Sequence, residues 1–117
     1  MRLYGVRLFV DDIAAARTFY GGTLGLPVAW DMAEMDAVGY AVGESVIIVE
    51  REAPDGPYAG LIGRFAGVSL MVGDIEATYR DLSAKGVVFT DPPEKQPWGG
   101  TLAHFRDPAG NTLTLLG

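Results

Sequence analysis

Only a few side chains in this 117-residue chain could do chemistry. It has one histidine, His104, and no cysteine. An imidazole titrates near neutral pH, so His104 could serve as a base or a hydrogen-bond donor. The other reading is a structural histidine held by hydrogen bonds. No second titrating group is clearly placed beside it, so no dyad can be argued. Without cysteine there is no disulfide framework, thiolate nucleophile or zinc–cysteine site. Arg7, in the run GVRLFV, needs a partner or water in so small a protein. It either holds an anionic or carbonyl group of a ligand, or is solvated or paired with Glu50.

The elements that carry these residues are written twice. Residues 5–15 read GVRLFVDDIAA and residues 67–77 read GVSLMVGDIEA. Each copy is a β-rich run followed by an aspartate able to cap a helix. Ile13, Ala16 and Tyr20 then share one helical face, and the glycines of YGGTLG end that helix. In the second copy Ile75, Tyr79 and Leu82 share a face and Gly86 stops the helix. Further strand-like runs follow each helix: LPVAWDM, AVGYAVG and SVIIVE, then GVVFTD, GTLAHF and NTLTLLG. Each half therefore reads β-α-β-β-β, with modules at 1–50 and 67–117. The Gly/Pro-rich stretch 51–66 links them within one domain. A duplicated unit of this kind implies two modules sharing one core, with room for a pocket between them.

The duplication, FYGGTLGL in the first half and PWGG…FRDPAGN before the last strand resemble the vicinal oxygen chelate superfamily. That superfamily includes glyoxalase I, extradiol dioxygenases, fosfomycin-resistance transferases and bleomycin-resistance proteins. The resemblance spans essentially the whole chain. It implies an α+β fold in which two βαβββ modules form a curved mixed sheet around a central cavity. It does not settle activity, because enzymes and pure binders share this scaffold.

In the family's enzymes a divalent metal is held by His, Glu or Gln from the first and last strand of each half. The matching positions here are Gly5, Ile47 or Ile48, Gly67 and Thr114. Two glycines and an isoleucine cannot donate, and threonine is a weak ligand. His104 and Glu50 alone are too thin a donor set for a first-row metal. No metal and no cofactor is therefore expected. The same positions mark the pocket face, because alternate strand residues share a face. The expected ligand-binding residues are Arg7, Phe9, Ile48, Glu50, Ser69, Leu102, His104 and Thr114. Trp30, Tyr40 and Trp98 are expected to supply aromatic surface at the rim. A catalytic part for His104 is the enzymatic alternative.

QPWGGTLAHFRDPAGNTL is similar to a stretch of bleomycin-resistance proteins. These are metal-free, acidic homodimers that sequester a cationic aromatic glycopeptide without altering it. The resemblance therefore implies a metal-independent small-molecule binder, with sequestration of an aromatic, cationic antibiotic as the narrower form. The alternative is a glyoxalase-like lyase, isomerase or dioxygenase with a non-standard site. The expected partners are a small-molecule ligand and a second copy of the chain. The formal net charge of −6 and pI of about 4.5 argue against nucleic acid. No apolar run could span a bilayer, and the N-terminus lacks the marks of a signal peptide. A cytoplasmic, soluble protein is expected.

Overall fold

The computed structural model describes all residues 1–117. The first half builds a four-stranded mixed sheet from β1 (Gly5–Val10), β2 (Val28–Met32), β3 (Ala37–Val42) and β4 (Ser45–Arg51), in the order β1-β4-β3-β2. The second half repeats it with β5 (Phe65–Met71), β6 (Val88–Phe89), β8 (Thr101–Arg106) and β9 (Thr112–Leu116), in the order β5-β9-β8-β6. A two-residue strand, β7 (Glu94–Lys95), also pairs with β8. The prolines of DPPE separate β6 from β7, because proline cannot donate to a ladder. In both halves the first strand pairs in parallel with the last.

The helices start where the aspartates predict. The side chain of Asp12 accepts from the Ala15 amide and opens α1 (Ile13–Arg17), while Asp74 accepts from Ala77 and opens α2 (Ile75–Ala84). The first helix runs past the first two glycines of YGGTLG. It widens to a π-turn over Thr18–Thr23, and only Gly25, at φ 70°, ends it. Gly21 lies close to Tyr40, where a side chain would crowd the ring.

Parity decides the core. Leu8 and Val10, Val38 and Tyr40, and Ile47 and Val49 point to the helix-covered face of the first sheet and are buried. Ala103, Phe105, Leu113 and Leu115 do the same in the second. These residues join Phe19, Tyr20, Ile75 and Leu82 in a single apolar cluster drawn from both halves. The fold class is as expected, but the sheet is divided. β1 and β5 are both edges and do not pair with each other. Side chains from the end of the linker and from the second half seal part of the β1 edge instead. Arg64 Nη2 donates to the Arg7 carbonyl at 2.6 Å, and Asn111 Nδ2 donates to the Phe9 carbonyl at 2.9 Å.

A buried polar network ties these parts together. The Tyr20 hydroxyl donates to Asp107 Oδ2 at 2.7 Å across the interface of the two halves. Burial, and then the charge of Asp107 and this hydrogen bond, push the Tyr20 phenol well above its ordinary value near 10. A folded-state pKa raised in this way contributes stability that is intact below the unfolded pKa and lost as pH rises above it. The denaturation midpoint should hold up to about pH 10 and then fall, because only the unfolded chain ionises Tyr20. Tyr20→Phe should lower stability by about 1–3 kcal/mol at neutral pH and flatten that alkaline decline. Urea midpoints at pH 8 and pH 11 for both proteins would show it. An equally steep alkaline loss in the variant would refute the assignment.

Candidate functional site

Each sheet has a second face that no helix covers. On the first sheet this face carries Gly5, Arg7 and Phe9 of β1, and Val46, Ile48 and Glu50 of β4, brought side by side by the parallel register. Arg7 Nε and Nη2 donate to the two Glu50 carboxylate oxygens at 2.8 and 3.2 Å. This hydrogen bond, and then the charge of Glu50, raise the Arg7 pKa further. Of the two readings of Arg7, its geometry is the paired one. The guanidinium also lies 5.3 Å from the Phe9 ring centre and 5.8 Å from that of Tyr58. Tyr58 stacks on Phe9 at 5.0 Å, so the 51–66 segment folds back over this face and buries Phe9. Glu52 holds the segment in place by accepting from the Tyr58 amide at 2.9 Å. Trp30 lies against Gly39 beside Val46, and its indole N–H donates to the Tyr4 hydroxyl at 2.9 Å.

On the second sheet the uncovered face carries Phe65, Ser69 and Met71 of β5, His104 of β8 and Thr114 of β9. His104 Nδ1 and Thr114 Oγ1 are 2.7 Å apart, and the Phe65 ring stands edge-on to the imidazole at 5.7 Å. Leu102 and His104 border a recess of about 50 Å³ between β6 and β7. Trp98 lies in the loop before β8, against Gly100 and 64 % exposed.

The residues expected to bind ligand thus fall into two groups, one on each sheet. Tyr40 corrects the expectation. Its parity is that of Val38, so it points into the core, stacked on Tyr20 at 5.8 Å, and is 2 % exposed. Tyr58 and Phe65 were missed. Both lie at or beside the linker, where no strand period marks which way a side chain will face.

The largest cavity, about 340 Å³, lies where the halves meet, between the β1 and β5 edges. Gly5 and Val6, Val46 and Ile47, and residues 66–70 form most of its wall, and no charged residue lines it. Of the expected binding residues only Ser69 reaches it.

The profile of the Glyoxalase/Bleomycin resistance protein/Dioxygenase superfamily matches residues 2–115. The chain belongs to that superfamily. It is 32 % identical over 129 aligned positions to the uncharacterized protein YraH of Bacillus subtilis strain 168, covering 98 % of this chain and 97 % of that protein. A crystal structure of a superfamily member from Sphaerobacter thermophilus DSM 20745 superposes with a TM-score of 0.82 at 31 % identity, covering 99 % of this chain and 96 % of that one. The crystal structure of UcmS2 gives 0.85 at 31 % identity, with 99 % and 97 % coverage.

The superfamily's metal can be tested against the side chains at its four positions. Gly5 has no donor, and a Cβ there would collide with the Val46 carbonyl oxygen. Gly67 has a φ of 70° in an irregular stretch of β5, where the ladder with β9 shifts register. Ile47 and Ile48 offer only hydrocarbon, and Thr114 is engaged by His104. Nowhere in the chain do three His, Cys, Asp or Glu side chains group as a metal site requires. The donor set does not fit the metal. No helix is long and apolar enough to cross a membrane.

Proposed function

We propose that this superfamily member is a metal-independent small-molecule binding protein whose ligand enters the cavity between its halves. One observation carries the reading. Two of the positions that would hold the metal, Gly5 and Gly67, line a cavity of about 340 Å³ and bring no donor side chain and no charge to it. That volume is in the range of ligand pockets. Burial of apolar ligand surface would supply the affinity, at roughly 25 cal/mol per Å². The narrower reading is sequestration of an aromatic, cationic antibiotic. The net charge of −6 and the exposed rings of Tyr4, Tyr58, Phe65 and Trp98 support it. Phe65 and Met71, 64 % and 79 % exposed on an uncovered sheet face, support a homodimer that covers them.

The test is a titration with bleomycin read by tryptophan fluorescence, with metal content measured on the same sample. Trp30 is the expected reporter, because its ring adjoins Val46 in the cavity wall. Saturable quenching in a metal-free sample, lost in Trp30→Phe, is the expected result. Stoichiometric bound metal would overturn the proposal, and absence of quenching would remove bleomycin as the ligand. The enzymatic alternative draws on the His104–Thr114 contact. The Thr114 side chain is only 3 % exposed, which leaves a substrate little access to its hydroxyl.

A further inference from the structure

The walls of the cavity between the halves are unusual, because two of them are unpaired strand edges. In β1 the even-numbered carbonyls turn toward β4. Tyr4 accepts from the Val46 amide and Val10 from the Glu52 amide. Odd-numbered residues therefore aim their N–H and C=O groups the other way, as the Arg64 and Asn111 contacts to the carbonyls of Arg7 and Phe9 demonstrate. Those two carbonyls are capped by side chains, but the Gly5 groups, one step nearer the N-terminus, open on the cavity. In β5 the even residues serve β9. Arg64 accepts from the Thr112 amide and the Val72 amide donates to Leu116. Ser69 N–H and C=O accordingly point away from β9, and Gly67 is freed by the register shift beside it. Outside the ladders, no backbone–backbone hydrogen bond uses Gly5, Gly67 or Ser69.

Resting on the reading of this cavity as the ligand site, we infer that its ligand class is peptide-like. The part of the ligand that enters the cavity is short, extended and uncharged, and its amide groups pair with the free edges of β1 and β5. Unpaired strand edges are templates for an added strand, and the backbone then supplies the hydrogen bonds. The lack of charged residues in the wall selects neutral side chains. The absence of side chains at Gly5 and Gly67 leaves the backbone within reach.

The experiment is a titration of ¹⁵N-labelled protein with N-acetyl-Ala-Val-Ala-amide, and with the same peptide methylated on its backbone nitrogens. The amide resonances of Gly5, Gly67 and Ser69 should move downfield and saturate with the first peptide. The methylated peptide keeps the apolar surface but cannot donate, and should bind at least about tenfold more weakly. Ser69→Pro removes one cavity-facing N–H without touching the β9 ladder, and should also weaken the first peptide. If that variant fails to fold, the comparison of the two peptides on the unaltered protein still decides. Equal binding of both peptides, shifts elsewhere, or no saturable shift would overturn the peptide-like class. So would protection of the Gly5 and Ser69 amides in the free protein that vanishes on dilution, since a second copy would then fill the edge. Quenching by bleomycin in the same sample separates the two failures. Bleomycin binding without peptide binding sinks only the peptide-like class.

Discussion

Asn111→Ala is expected to lower stability by about 3–5 kcal/mol, a fall in Tm of roughly 10–30 °C. The side chain is fully buried and makes four hydrogen bonds. Its Nδ2 donates to the Phe9 carbonyl at 2.9 Å and to Asp107 Oδ2 at 3.0 Å, while its Oδ1 accepts from the amides of Gly63 at 2.9 Å and Arg64 at 3.2 Å. One residue thus joins the β1 edge, the end of the linker and the turn before β9. Truncation strands polar groups on all three at once, and each buried orphan carries a desolvation penalty. Asn111→Asp should be worse still, because an oxygen would then face the Phe9 carbonyl and Asp107. Thermal melts of the three proteins at pH 7 provide the check. A loss under 1 kcal/mol for the alanine variant would mean that other contacts hold the halves together.

Restoring the missing metal ligands should fail. Gly5→His combined with Gly67→His is expected to cost about 2–5 kcal/mol and to bind no zinc. At position 5 the new Cβ meets the Val46 carbonyl, a backbone atom that cannot move without disturbing the β1–β4 ladder, at about 1–3 kcal/mol. At position 67 a φ of 70° places any L-residue in the left-handed region, at about 1–2 kcal/mol. The other two positions still supply only isoleucine and a threonine engaged by His104, so no complete ligand shell forms. Metal analysis after dialysis against zinc, together with a denaturation curve, tests both parts. Stoichiometric zinc at undiminished stability would show that the glycines are incidental to the backbone and that a donor set was merely lost.

The motif RDPAGN marked the family, and its physical content emerges only in the folded chain. Asp107 Oδ1 accepts from the amides of Ala109 and Asn111, both at 2.9 Å, and Gly110 takes a φ of 88° to close the turn. That much is local and could be read from the run itself. The reach of Asn111 to Phe9, 102 residues earlier, could not, because nothing in a strand's alternation says which atoms its free edge will meet. The glycines at 5 and 67 divide in the same way. Their lack of a donor is plain from the residue type, whereas their fit to a crowded backbone and to a left-handed φ depends on neighbours brought in by the ladders.

The sequence by itself determined the duplicated β-α-β-β-β plan, the two aspartate caps, the Gly86 stop and the superfamily. All of these rest on local periodicity, capping chemistry and short-range motifs, which need no knowledge of distant contacts. It also placed Arg7 beside Glu50 as one of two readings. Only the tertiary structure decided that the halves keep separate sheets and that Tyr40 faces the core. Only there does Tyr58 fold onto Phe9, and only there does the largest cavity open between two bare strand edges, away from Arg7 and His104. These outcomes follow from how two similar units are docked, through an apolar core shared by both halves and a few long-range polar contacts, and the partners in that docking leave no periodic trace in the chain.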